Sequence, residues 1–397
     1  MKKFKLATLI IMVISMLCLM LAACDNTPAG GSGSGSGSGS SGGDSDGDTG
    51  NIGIDTGLRI VIVTSGSSVD DGSFNQNNYE GILDFIAENP GATVQAVTSP
   101  DIATSNQDVE AVVADYDVIV VPGFQFASVS AVALENPDKI FILVDDYPQA
   151  VDGVEEFDNI YAMRFKEQES GFFAGIAAAM ETNSGKVAFI GGIPFPPVVN
   201  YHVGFNAGVQ WANENLGTDA EIVNLPAYGG TEVVFEIFVG GNYIMDFGDQ
   251  AQGRVVGDAL INEGVDILFI AAGGAGLGAF ASAMDATDVK VIGCDVDQYS
   301  FGVYAGGNVV LTSVLKNMRV NVYRQLVAIN NGTFQGGNYT LGADTDSSGF
   351  VSAEGRHQLD PATLSALNDA FAQVKSGAIQ PPSNFFEGNL GFASIFD

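Results

Sequence analysis

From Leu58 onward the chain alternates between two hydrophobic patterns. Near-continuous Val/Ile/Leu/Phe runs stand at 59–64 (RIVIVT), 117–122 (DVIVVP), 139–146 (KIFILVDD), 186–192 (KVAFIGG), 265–274 (VDILFIAAGG) and 289–295 (VKVIGCD). Between them lie stretches of helical character at 73–88, 106–115, 167–182, 197–216, 249–263 and 275–286. A run that is apolar on both faces is buried on both, and strand–helix–strand succession gives parallel strands covered by helices. About a dozen such elements exceed one sheet of common size. The pattern therefore predicts an α/β protein with two doubly wound, three-layer lobes and parallel sheets, joined by crossover strands. A first crossing is expected near 163–168, where IYAMRFKEQESGFFAG passes from a strand into a Gly/Ala-rich helix. The expected lobes are 58–165, completed by part of about 296–340, and 166–295, completed by part of about 341–397.

The first residues have a different pattern. A basic MKKFK precedes the apolar LATLIIMVISMLCLM, which has signal-peptide length and is short for a membrane span. It ends in LAAC, Leu21–Cys24, which resembles a bacterial lipoprotein signal. Residues 1–23 are then expected to be removed and Cys24 lipidated. Residues 24–57 follow as a tether with a Gly/Ser repeat at 30–43. About 33 residues of that composition form a coil spanning roughly 30 Å. These features predict a chain anchored by lipid to the extracytoplasmic face of a bacterial cell membrane. Cys18 leaves with the leader and Cys24 carries lipid, so Cys294 remains alone and no intramolecular disulfide can form. The 340 residues from Leu58 are ample for a core that holds two lobes without one.

Charge narrows the ligand. The whole chain carries a formal −32; without Lys2, Lys3 and Lys5 of the leader, 12 basic residues face 47 acidic ones, a net of −35. That field repels nucleic acid and multiply charged phosphates and favours a neutral or zwitterionic solute.

In parallel α/β sheets ligands sit beyond the carboxyl ends of the strands. Those ends are 64–75, 121–126, 145–149, 191–197, 272–278, 294–298 and the stretch 311–317. In SSVDDGSFNQ, Asp70, Asp71 and Ser73 are helix-capping types and Gly72 a turn residue. Phe74 is either a hydrophobic staple for the helix or one wall of a binding slot. LVDD offers Asp145 and Asp146, IGCDVDQ offers Asp295 and Asp297, and LTSVLKN offers Lys316, one of six lysines left after the leader. AAGGAGLG has the wrong glycine spacing for a dinucleotide fingerprint and reads as a loop whose amides approach a ligand. DTDSSGFVSAEG at 344–355 starts like a calcium loop, but its twelfth residue is Gly355 and Glu354 falls one place early. His202 and His357 are the only histidines, and no Ser/His/Asp or transition-metal arrangement is visible. The expectation is a binding protein, not an enzyme, with no cofactor or metal.

DDGSFNQNNYEG, FILVDD, FKEQESGFFAG, KVAFIGGIP, HVGFNAGV, GVDILFIAAGGAGLG, IGCDVDQ and LTSVLKN, with the LAAC signal, occur in the order seen in the basic membrane protein family, which this chain resembles over about 58–345. The resemblance implies a type I periplasmic-binding-protein fold and a lipid-anchored carrier. Such a carrier passes a nucleoside, purine foremost, to the permease and ATPase of an ABC transporter. It also implies roles for residues. Phe74 and Phe247 would sandwich the base, with Phe235, Phe238 and Tyr243 as rivals of Phe247. Asp145 would bond the base, Asp295 and Lys316 the ribose hydroxyls, and Gly274 would give a backbone contact; Asp71 and Asn75 of the DxSFNQ motif complete the expected set. The alternatives are the same fold holding a sugar or another small solute, and a surface receptor or adhesin without a transport role.

Overall fold

The computed structural model describes residues 57–226, 231–232, 238–239 and 241–383. The leader, Cys24, the tether to residue 56 and Phe235 lie outside the described residues. Nine helices of seven residues or more occur among the described residues: α1 (Phe74–Glu88), α2 (Ser105–Val112), α3 (Val129–Glu135), α4 (Glu167–Glu181), α5 (Pro196–Asn215), α6 (Gln250–Asn262), α7 (Gly276–Asp285), α8 (Met318–Asn330) and α9 (Pro361–Lys375).

Two sheets carry them. The first is wholly parallel and runs Gly337–Leu341, Ile160–Phe165, Ile140–Val144, Val118–Pro122, Arg59–Ser65, Thr93–Ser99. Its apolar runs divide by alternation. Ile60, Ile62, Val118, Val120 and Ile142 pack under α1 and α8, while Val61, Val63, Ile119, Val121 and Phe141 pack under α2 and α3. Every one of these side chains is fully buried, which is why the runs show no polar alternation.

The second sheet runs Asn242–Tyr243, Lys186–Gly191, Ile267–Ala271, Lys290–Gly293, Val310–Lys316, Ser348–Phe350, with Glu221–Ile222 also on Lys186–Gly191. One face carries α4, α5 and α9, the other α6 and α7. Its last strand is antiparallel to its neighbour. The chain reaches Ser348 straight from the first sheet through the short turn Ala343–Thr345, with no crossover helix to bring it round in the parallel sense.

The chain passes between the sheets at 166, at 317 and at 342–347. These crossings are bonded together: Lys166 N–H donates to Leu341 O at 2.8 Å and Asn317 N–H to Ser347 O at 2.9 Å. Glu169 on α4 accepts from both Ala343 N–H and Ser348 Oγ–H at 2.6 Å. The three crossings thus lie side by side where the two lobes meet.

The helices α4 and α5 touch backbone to backbone. A Cβ at Gly171 or Gly175 would stand 2.3 or 2.2 Å from the carbonyl oxygens of Tyr201 and Phe205, and the reverse holds at Gly204 and Gly208. Only glycine permits that approach, and it fixes Tyr201 and Asn200 of α5 against the start of α4. On the same helix His202 is structural. Its ring stacks on Phe189 at 4.8 Å, its Nδ1 lies 3.0 Å from Tyr243 Oη, and burial lowers its pKa to about 4.

Candidate functional site

The first strand delivers the chain at Ser65, and the loop to α1 is organised by Asp71. Its carboxylate accepts from Ser73 N–H at 2.9 Å, Asn75 N–H at 3.0 Å, Gln76 N–H at 3.1 Å and Ser67 Oγ at 3.2 Å. Asp71 thus caps the first turn of α1 from three residues upstream. Burial raises its pKa, and the four donors oppose the rise. Asn75 is buried and donates from Nδ2 to Ser67 O and Oγ at 3.0 and 2.9 Å. This brace leaves Phe74, the first helical residue, half-buried: it packs on the first lobe's core and also lines the space between the lobes.

Asp145 ends the strand Ile140–Val144 in the left-handed region, with φ 76°. It ion-pairs with Lys316, whose ammonium also lies 2.9 Å from Glu167 Oε1 and 5.2 Å from the centroids of Phe74 and Phe165. Glu167 is the first residue of α4 and accepts from Asn200 Nδ2 at 3.0 Å. All three charged groups are buried. Burial works against the Lys316 ammonium, but Asp145, Glu167 and Asp295 outweigh it and raise its pKa. Burial pushes Asp145 up to about 7, opposed by Lys316 and assisted by Glu167 and Asp295.

Asp295, also left-handed with φ 68°, lies two residues beyond the strand Lys290–Gly293. Its Oδ1 accepts from Tyr201 Oη at 2.8 Å, and its Oδ2 accepts from Ser73 Oγ, across the cleft, at 3.1 Å. Burial and the neighbouring carboxylate raise the Tyr201 pKa, so the phenol stays a donor. A second bridge between lobes runs from Gln298 Nε2 to Gly72 O at 3.2 Å. Cys294 is buried beside Asp295 and faces the same space, its thiol pKa raised first by burial.

Phe247 stands just before α6, capped by Asp249, which accepts Gln252 N–H at 3.0 Å. The ring lies where a side chain at Gly192 would be: a Cβ there would meet Phe247 Cε1 at 2.3 Å. Phe247 O accepts Ala275 N–H at 2.8 Å, so the glycine loop wraps this residue's backbone. Phe195 lies 6.1 Å from Phe247 and 5.6 Å from Phe124 of the other lobe, centroid to centroid.

These groups line a cavity that opens between the lobes. Seven of the eight residues expected from the sequence line it: Asp71, Phe74, Asn75, Asp145, Phe247, Asp295 and Lys316. The eighth, Gly274, does not. Gly273 lines the cavity instead, and Gly274 is buried in the turn that follows. Tyr243 is removed as a rival wall, because it is 2% exposed and packs edge-on to Phe189 and His202 inside the second lobe. For Phe238 only the backbone is described. Sequence reasoning missed Phe124, Phe195 and Tyr201 in the lining and Glu167 behind it.

Among the described residues Lys316 is the sole cation in the lining, against Asp71, Asp145 and Asp295. The remaining acids of the strand ends turn elsewhere: Asp146 pairs with Arg164, and Asp297 with Arg356 at 2.6 Å. In the loop after 343, Asp344 faces Lys166 at 3.4 Å, Asp346 pairs with Lys375, and Ser348 bonds Glu169. Among the described residues no group of three or more His, Cys, Asp or Glu is placed to hold a metal ion, and no helix is long and apolar enough to cross a membrane.

The family model described as ABC transporter substrate-binding protein PnrA-like matches residues 58–225 and 234–382. A CD4+ T-cell-stimulating antigen of Listeria monocytogenes is 27% identical over 343 residues, 81% of this chain and 87% of that one. An ABC transporter nucleoside-binding protein BmpA of Lactococcus lactis is 29% identical over 345 residues, 82% and 88% of the two chains. Basic membrane protein A2 of Borrelia garinii is 29% identical over 302 residues, 74% and 80% of the two. Among solved structures, an ABC transporter solute-binding protein from Aeropyrum pernix superposes with a TM-score of 0.69 at 22% identity, over 81% of this chain and 92% of that one. One from Conexibacter woesei gives 0.61 at 21% identity, over 83% and 100%. At those identities the likeness is one of fold.

Proposed function

The chain belongs to the PnrA-like substrate-binding proteins of ABC transporters, and from that membership we propose that it captures a nucleoside, a purine nucleoside foremost, and hands it to the transporter's permease. The observation that carries this reading is the cavity between the lobes, with Phe74 from one lobe and Phe247 from the other in its lining and buried Asp145, Asp295 and Lys316 around them. A nucleoside has two flat apolar faces and a neutral diol. Base–aromatic stacking contributes about 1–3 kcal/mol per base, and charge-assisted hydrogen bonds, accepted by Asp295 and donated by Lys316, suit the ribose hydroxyls. Asp145 meets the base edge. Phe124, Phe195 and Phe247 add more apolar wall than a sugar ring has faces to cover. The acidic lining also disfavours a nucleotide, whose phosphates would face three aspartates and one lysine.

Asp71 serves this site by holding the loop that presents Phe74 and Asn75. The nucleoside-binding description of the Lactococcus lactis relative points the same way. The leader and Cys24 fit a lipid anchor on the extracytoplasmic face, with the Gly/Ser tether letting the lobes reach the permease. The test is uptake by cells with and without this chain. Loss of the chain should slow uptake of labelled inosine or guanosine and leave labelled glucose unaffected. Unchanged nucleoside uptake, or a defect confined to the sugar, overturns the proposal.

A further inference from the structure

Gln125 stands half-buried in the cavity lining, on the turn Phe124–Phe126. Its main-chain oxygen accepts from Asn106 Nδ2 at 3.1 Å, while its side-chain amide has no hydrogen-bond partner among the described residues. The amide is folded back over Gly123: a Cβ at that glycine would lie 2.5 Å from both Nε2 and Oε1. With φ 127°, Gly123 is in a conformation that favours glycine, and the missing side chain makes the slot that the amide occupies.

The sheet places Asp145 beside it. Pro122 pairs with Val144 in parallel register, and Gly123 N–H donates to Val144 O at 3.0 Å. The two strands therefore release Gln125 and Asp145 at neighbouring points of the same sheet end. Asp145 gives Oδ1 to Lys316, and its Oδ2 has no partner among the described residues. A carboxylate oxygen only accepts, whereas an amide both donates and accepts. Side by side, groups of these two kinds match an edge that carries an N–H next to a carbonyl.

Resting on the nucleoside reading above, we infer that Gln125 and Asp145 select bases with a lactam edge, the 6-oxopurines hypoxanthine and guanine, over the 6-aminopurine adenine. N1–H of the oxopurine donates to Asp145, and its C6 carbonyl accepts from Gln125 Nε2. Adenine presents the N1 lone pair where the oxopurine presents N1–H, so two acceptors oppose each other. Rotating the amide satisfies only the exocyclic amino group. A site built to hydrogen-bond its ligand discriminates strongly because a wrong ligand leaves buried polar groups unpaired.

The experiment is calorimetric titration of the ligand-stripped full chain with inosine and with adenosine. It is run at pH 8, above the value of about 7 to which burial pushes Asp145 among Lys316, Glu167 and Asp295. The wild type should bind inosine at least about tenfold more tightly than adenosine, and Gln125→Leu should lose about tenfold for inosine but less than about threefold for adenosine. Gln125→Glu, equal in shape but without the amide donor, should weaken inosine at least as much as the leucine variant. An unchanged thermal midpoint in either variant shows that the effect lies in the contact. Equal wild-type affinities, or matched losses for both ligands in Gln125→Leu, overturn the assignment of Gln125 and leave the nucleoside reading standing. Failure of the wild type to bind either nucleoside overturns the reading on which the inference rests.

Discussion

Replacing Lys316 with Met is expected to lower the stability of the folded chain by about 3–5 kcal/mol, the usual consequence of breaking a buried ion pair from one side. The ammonium has a side-chain exposure of 3% and faces Asp145 and Glu167, themselves 8% and 1% exposed. Removing it leaves two carboxylates buried without their cation, while Asn200 bonds only one oxygen of Glu167. The loss should depend on pH, with a definite sign. Burial already raises Asp145 to about 7, and loss of the lysine removes the chief opposition, so its folded pKa rises further. A carboxyl whose folded pKa lies above its unfolded value binds protons more readily in the folded state. The variant should therefore lose stability as pH rises from about 4 through that raised value, and recover on acidification. Urea denaturation at pH 5 and pH 8 reads this directly, with the larger deficit expected at pH 8. Adding Asp145→Asn and Glu167→Gln should restore much of the loss. An unchanged midpoint at pH 8 would mean that Lys316 is not the counter-ion of the pair.

The second large effect is on ligand binding. Asp295→Ala should weaken ribonucleosides by about 10- to 150-fold, the range expected for losing hydrogen bonds to a charged group. The residue's two oxygens hold Tyr201 from one lobe and Ser73 from the other, so the change removes both a diol acceptor and a bond across the closed cleft. Because Asp295 has φ 68°, alanine adds backbone strain that asparagine tolerates better. Asp295→Asn therefore isolates the charge and should fall between wild type and alanine. Free bases should lose much less than nucleosides in both variants, as followed by calorimetric titration. Equal losses for base and nucleoside would remove Asp295 from the ribose.

Much of this architecture is visible in the chain because of where parallel strands put their ends. Asp145, Asp295 and Lys316 each stand at or just after the carboxyl end of a buried apolar run, and Phe74 opens the helix that follows the first run, so finding the runs leads to the residues. The same rule reached 121–126 and 191–197, yet singled out no residue there. Phe124, Gln125 and Phe195 sit within those stretches and carry no polar or charged cluster to mark them. Tyr201 and Glu167 are harder. Tyr201 lies inside α5, and its reach to Asp295 depends on two pairs of glycines that let α5 lie on α4. Glu167 resembles any acid in the first turn of a helix, and only the crossing of three strands buries it against Lys316. Elements were missed for related reasons. The strand Thr93–Ser99 is at the sheet edge with four of its seven residues exposed, so its polar TVQAVTS has no apolar run. Gly274 comes from the resemblance alone, and a resemblance does not tell which of two adjacent glycines turns its backbone to the cavity.

The central claim is that this cleft holds a nucleoside, and calorimetric titration of the ligand-stripped chain with guanosine, beside ribose and galactose, tests it most directly. Saturable one-site binding of guanosine, with the negative heat-capacity change of apolar burial and no heat from either sugar, is the result expected here. Binding of ribose or galactose with none of guanosine would contradict it and make the phenylalanine-lined cleft a sugar site.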